Sequence, residues 1–238
     1  MATNFIMTSA HRLAQLYSKL MPIHCRLCGI ASYDHALCKD CISDLPKIGP
    51  ACPRCAHPTP NSRLCGRCLA HPPEYHFSTS IYNYQDPIDR LIVDYKFNDK
   101  LYLSNFFAQC MFERLKNKQL PELLIPIPLH PNKLKQRGYN QSFELAKALS
   151  KHLNIPTSNE FLERIIDTKP QSSMPFKQRK KNIQHAFKSS IKIPFNHIAL
   201  IDDVLTTGHT ANAAAKTLRL AGASKIEVWT IARAIRHD

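Results

Sequence analysis

Apolar positions in the last two-thirds of the chain alternate between strand-like runs and helical spacing, and each change marks an element. Ser80–Tyr84 reads as a strand. Asp86-Pro87 then opens a helix, with a capping residue and Pro at its first position, that runs to about Lys96. A second helix covers Tyr102 to Leu115, and Leu123 to Ile127 is a short apolar strand running into Pro126 and Pro128. Gln141 to Leu153 is a helix with Phe143, Leu145, Ala146 and Leu149 on its inner side. Ile198–Ile201 is a buried strand, Ala211 to Leu220 a helix stopped by Gly222, and Ile226 to Ile231 a last strand. Strands alternating with helices predict an α/β domain, a parallel sheet with helices on both faces.

Upstream of the Pro72-Pro73 joint this pattern disappears. Leu13, Leu16, Tyr17 and Leu20 fall at helical spacing in Met1–Met21, interrupted by His11, Arg12, Gln15 and Lys19. That segment reads as a short amphipathic helix rather than a targeting signal. The expected organisation is a helical segment over 1–22, a cysteine-rich module over 23–73 and an α/β domain over 74–238.

The 238 residues are 44% hydrophobic and 21% charged, which excludes a wholly disordered chain. No apolar run approaches the roughly 18 residues that span a bilayer, so no membrane insertion is expected. Without an export signal the expected compartment is the cytoplasm, where thiols stay reduced. The formal charge of +14 predicts an anionic partner.

Eight of the nine cysteines form four Cys-x-x-Cys pairs: Cys25/Cys28, Cys38/Cys41, Cys52/Cys55 and Cys65/Cys68. The second four repeat the spacing of the first four, 27 residues on. A two-residue gap turns both thiolates of a pair toward one metal, and two such knuckles complete a tetrahedral shell that selects zinc. Gly29, Pro53 and Gly66 suit the turns. Two structural zinc sites are expected, paired either sequentially within each repeat or across alternate pairs. Four thiolates leave no open position for catalysis, and so short a segment needs metal to fold. His24, His35, His57 and His71 then read as surface residues, and Cys110 as a buried core thiol.

The segment I-A-L-I-D-D-V-L-T-T-G-H-T, Ile198 to Thr210, carries the most chemistry. A buried strand ends in Asp202 and Asp203, and a Thr/Gly loop leads straight into a helix. Ligands of open α/β sheets bind beyond the carboxyl ends of strands. A loop of this kind at a helix N-terminus offers N–H groups and hydroxyls to a phosphate. The plain alternative is a surface turn with Thr210 as helix cap. An apolar strand, paired acids and T-T-G-x-T together resemble the signature by which type I phosphoribosyltransferases bind 5-phosphoribosyl 1-diphosphate (PRPP).

Pro126-Ile-Pro-Leu-His-Pro131, Arg137-Gly-Tyr-Asn-Gln141 and Lys169-Pro-Gln171, followed by Arg179, Asn182 and Ala186-Phe187, narrow the likeness. The chain resembles the ComF/ComFC (GntX-like) family from Cys25 to Arg233. That resemblance implies a double zinc ribbon before a type I phosphoribosyltransferase-like domain, and a link to natural transformation and single-stranded DNA. It places Asp202 and Asp203 on the ribose hydroxyls or bound Mg²⁺. It puts Val204, Leu205, Thr206, Thr207, Gly208, His209 and Thr210 around the 5-phosphate. His209 stands where the family usually has a small residue. The resemblance further implies a diphosphate-binding loop with Leu129 and Arg137, and a closing loop with Lys169, Gln171 and Arg179.

Leu123–Phe143 contains three Lys or Arg and no acid, and Lys169–Lys192 contains seven and no acid. Arg and Lys donors there would stabilise a leaving pyrophosphate. Pyrophosphate does not need so many cations, and Lys177, Lys180 and Lys181 are candidates for tracking a nucleic-acid backbone. Arg26, Arg54, Arg63 and Arg67 could extend the track, with Tyr139, Phe143 and Phe176 as stacking platforms. Two functions are expected to compete. One is a phosphoribosyltransferase acting on an acceptor the residues do not name. The other is a non-catalytic competence adaptor, binding single strands or a helicase-like protein, with a sensing or relic pocket. A zinc-dependent transcription regulator ranks last, for want of a recognition helix.

Overall fold

The structure is a computed structural model, and it describes residues 23–32, 36–98, 100–167 and 185–235. The proposed helix over 1–22, and Lys169, Gln171, Phe176, Lys177, Arg179, Lys180, Lys181 and Asn182, lie outside the described residues. Two compact units divide the chain, Met1–Leu45 and Pro46–Asp238.

In the first unit, β1 (Ile23–His24) pairs antiparallel with β2 (Ala31–Ser32), and the short helix α1 covers Lys39–Ser43. Gly29 takes a left-handed φ of 75° between the strands, where the chain reverses. Strands of two residues bury almost nothing by themselves.

The second unit begins with the second cysteine repeat, including α2 (Gly66–Ala70), and continues into the α/β elements. These are β3 (Phe77–Asn83), α3 (Ile88–Phe97), α4 (Leu103–Leu115), β4 (Leu123–Pro126), α5 (Pro131–Arg137) and α6 (Gln141–Leu153). An antiparallel pair, β5 (Glu163–Arg164) and β6 (Phe187–Lys188), precedes β7 (His197–Leu205), α7 (His209–Leu220) and β8 (Lys225–Arg233). The central sheet is four-stranded and parallel, in the order β3-β8-β7-β4.

Side chains alternate between the two faces of that sheet. Leu123, Ile125, Ile198, Leu200, Ile226 and Val228 form one cluster with Ala211, Ala214, Ala215 and Leu218 of α7. Leu124, Ala199, Ile201, Trp229 and Ile231 are equally buried but outside that cluster. On their side α6 packs on β4, β7 and α4. Helices therefore cover both faces, as a parallel sheet requires.

Several boundaries differ from the sequence reading. β3 starts at Phe77, because Phe77–Thr79 pair with Glu227–Trp229. Pro87 stands just before α3 with φ −93° and ψ 2°, so the helix opens at Ile88. β7 does not stop at its acids: Asp202 pairs with Thr230, and the ladder continues to Leu205 opposite Arg233. α6 has the expected bounds, with the Asn140 side chain accepting from Ser142 N–H at its start and Asn154 left-handed at its end.

Candidate functional site

Each cysteine repeat closes on itself. Cys25, Cys28, Cys38 and Cys41 form one cluster and Cys52, Cys55, Cys65 and Cys68 the other, all sulfurs of a cluster within 4.8 Å of one another. The pairing is thus sequential rather than crossed. The Cys28–Cys38 and Cys55–Cys65 Sγ separations are both 3.6 Å. Four sulfurs at a Zn–S distance of about 2.3 Å stand about 3.8 Å apart in a tetrahedron, so both shells fit zinc. His24 and His71 are exposed and His57 half-buried. Cys110 is partly exposed, and burial still pushes its thiol up from the usual range.

The acidic pair sits at the carboxyl end of the sheet. Asp203 is 4% exposed, with Lys96 Nζ at 2.8 Å from one carboxylate oxygen and Gln141 Nε2 donating to the other at 2.8 Å. Asp202 accepts from Ser142 Oγ at 3.0 Å and from the Asp203 N–H at 2.9 Å. Burial, then the adjacent Asp203 charge, pushes the Asp202 carboxyl up to about 7. Gln141 also accepts from Arg137, whose guanidinium lies 4.7 Å from the Phe97 ring centroid. The fold therefore strings Lys96, Asp203, Gln141 and Arg137 along one polar path.

Beyond β7 the loop Thr206–Gly208 leads into α7, so His209 and Thr210 lie in the first helical turn. Gly208 is the residue before the helix, with φ 79°. A Cβ there would also stand 3.2 Å from the Tyr75 hydroxyl. Thr206 is exposed, Thr207, His209 and Thr210 are half-buried, and so is Val204. Leu205 is different: its side chain joins the apolar cluster, and its carbonyl faces Arg233.

Leu129 and His130 follow β4, half-buried. The 123–143 segment is acid-free only in sequence. Asp167 lies 3.9 Å from Lys133, 3.6 Å from His130 Nδ1 and accepts from Asn132 at 3.4 Å. Tyr139 donates to the Tyr95 carbonyl at 2.6 Å, which commits its hydroxyl to packing.

Sequence reasoning did not single out Lys96, Ser142 or Arg233. Ser142 and Gln141 carried a signal: polar residues at the buried start of an amphipathic helix. Lys96 ends an exposed-looking helix turn and carried none.

Residues 16–69 match the double zinc ribbon domain. Competence protein F of Haemophilus influenzae is 33% identical over 222 residues, 89% of this chain and 96% of that protein. The chain belongs to the ComF/ComFC family. The DNA utilization protein YhgH of Escherichia coli K12 is 30% identical over 191 residues, 77% of this chain and 84% of that protein. Among solved structures, glutamine PRPP amidotransferase from B. subtilis is similar at a TM-score of 0.36 and 13% identity, over 58% of this chain and 30% of that one. So distant a likeness bears no weight beside the sheet topology itself. No helix among the described residues is long and apolar enough to cross a membrane.

Proposed function

We propose that this ComF/ComFC member binds PRPP with Mg²⁺ at the end of β7 and transfers its phosphoribosyl group during the handling of incoming DNA. The observation that carries the reading is the juxtaposition of an acidic pair, Asp203 buried and Asp202 half-buried, with a glycine-capped helix N-terminus at the carboxyl end of a parallel sheet. In this reading the N–H groups of Thr206 to Thr210 hold the 5-phosphate. Asp202 and Asp203 face the ribose hydroxyls or the metal. The residues fit a divalent cation only in part, because Lys96 already neutralises Asp203 and would have to yield or share it. An acceptor nucleophile forms a bond to the anomeric carbon as the carbon–oxygen bond to pyrophosphate breaks, and the acceptor's proton passes to solvent. Arg137, with Lys169, Gln171 and Arg179, receives the pyrophosphate charge.

The test is magnesium-dependent PRPP consumption with pyrophosphate release by the zinc-loaded full chain. Asp203→Ala is expected to lower turnover by about a hundredfold or more. Absence of PRPP binding by calorimetry at millimolar ligand rejects the reading.

The names of the relatives support a second reading, in which the chain is a DNA-handling adaptor without turnover. It predicts salt-sensitive binding of single strands that survives Asp203→Ala and weakens on charge reversal at Lys180 and Lys181. A helicase-like partner belongs to the same reading.

A further inference from the structure

The second cysteine cluster reaches the loop after β7 through two arginines. Arg233 is 6% exposed at the end of β8. Its Nε donates to the Cys55 carbonyl at 2.8 Å, and its Nη1 to the Leu205 carbonyl at 2.8 Å. The same nitrogen lies against the Thr206 and Ala234 carbonyls. Arg67, between Cys65 and Cys68, donates from Nη2 to the Thr207 carbonyl at 3.0 Å. Three successive carbonyls are thus contacted by guanidiniums tied to one cluster: that of Leu205 at the end of β7, which also accepts from the Ala234 N–H, and those of Thr206 and Thr207 in the loop.

Peptide planarity turns this into a statement about donors. In a trans peptide the carbonyl of one residue and the N–H of the next point in opposite directions. Drawing the carbonyls of 205–207 toward the arginines aims the N–H groups of Thr206, Thr207 and Gly208 away from them. Among the described residues none of these three N–H groups has a hydrogen-bond partner. The Tyr75 hydroxyl, on a side chain 3% exposed, likewise has none there, and it lines the 180 Å³ cavity shared by Arg67, Arg233, Gly208, Cys55 and Cys68. Successive N–H groups of this kind form a concavity for an anion. With a divalent cation bound, four thiolates would carry a net negative charge, which the guanidiniums of Arg67 and Arg233 would offset.

We propose that the second cysteine cluster positions the phosphate loop through Arg233 and Arg67, so that a metal on Cys52, Cys55, Cys65 and Cys68 and an anion on the loop bind cooperatively. Arg233 and Arg67 are positioning residues, acting through the backbone they hold. The anion half of this claim rests on the phosphate reading of the loop given above; the positioning half does not. Linkage requires the effect to be reciprocal: the anion must also retain the metal.

The experiment uses the zinc-loaded full chain, with Arg233→Lys, Arg67→Ala and Cys28→Ser as variants and magnesium PRPP as the probe. Arg233→Lys keeps the charge but cannot bridge four carbonyls. It is expected to retain two zinc ions and the buried Trp229 indole resonance. Backbone order parameters at Thr206–Gly208 should fall from about 0.85 to below about 0.6. PRPP affinity should drop about tenfold or more. Cys28→Ser should lose one zinc and change neither readout. In the wild type, PRPP should slow the release to a chromogenic chelator of one zinc of the two.

Unchanged loop order in Arg233→Lys overturns the proposal, as does a Cys28→Ser effect on the loop of equal size. If Arg233→Lys loses the Trp229 resonance, the exposed Arg67→Ala decides by the same loop measurement. If the wild type does not bind PRPP, the phosphate reading fails while the order parameters still judge the positioning.

Discussion

The two cysteine repeats share a spacing and differ in almost everything that surrounds it. In the first, Cys25 alone of the cysteines is buried, Cys28 is exposed, Ile30 is 62% exposed and the strands are two residues long. In the second, Cys52 and Cys68 are buried and the segment before it lies along the outer edge of the sheet. Ile48 N–H donates to the Ile81 carbonyl, and the N–H groups of Ser78 and Asn83 donate to the Pro53 and Pro46 carbonyls. β3 is an edge strand, whose unpaired backbone groups invite pairing, and the second repeat supplies it. One knuckle is a small metal-held module and its duplicate is a wall of the α/β unit. Duplication of ligands is therefore no guide to duplication of role.

The largest effect expected from this contrast comes from removing one ligand of each cluster. Cys68→Ser should cost several kcal/mol, visible as a fall of more than about 10 °C in Tm or as loss of soluble protein, since metal-binding energy is folding energy. Cys28→Ser should lose one zinc by mass spectrometry and leave the melting of the α/β unit nearly unchanged. Equal losses would erase the distinction.

A smaller effect is expected in the loop that the second repeat braces. Gly208→Ala places a Cβ at a left-handed φ and 3.2 Å from the Tyr75 hydroxyl. A destabilisation of about 1–2 kcal/mol follows from the backbone alone, read by denaturant midpoint. Gly29→Ala has the same backbone cost in the first repeat but nothing within 4 Å of the new Cβ. A larger loss at Gly29 than at Gly208 would contradict the assigned packing.

Smallest and most conditional is the pH effect at Asp202. Its carboxyl ionises near 3.8 in the unfolded chain and near 7 when folded, so the folded state holds the extra proton between those values. Stability from this group is present at low pH and falls as pH rises through that window. Asp202→Asn should therefore raise Tm by a few degrees at pH 8 and by nothing at pH 3.5. If PRPP with Mg²⁺ binds the ionised form, its affinity should rise through the same window in the wild type and not in the variant.

Much of the architecture could be read from the chain, because its signals are local. Helix α6 is bounded by Asn140 and Asn154, both residues that favour those backbone states, and its limits follow from sequence. Strand ends were less legible. Asp202 looks like the end of an apolar run, yet its backbone continues the ladder opposite Thr230, and pairing is decided by the neighbouring strand. The site divides in the same way. The acids and the Thr/Gly loop are contiguous and visible, whereas Lys96 becomes a site residue only because α3 brings it to Asp203.

The cysteine spacing alone fixed eight thiolates as metal ligands, since a knuckle is closed by residues three apart and needs nothing from the rest of the chain. The alternation of apolar runs likewise fixed a parallel α/β unit. Which repeat would become part of that unit could not be read, because the deciding contacts join residues far apart. Cys55 and Arg233 are 178 positions distant, and their hydrogen bond exists only once β8 lies beside β3 and β7. Spacing selects the metal chemistry through local geometry. The packing of distant strands determines what the metal holds in place.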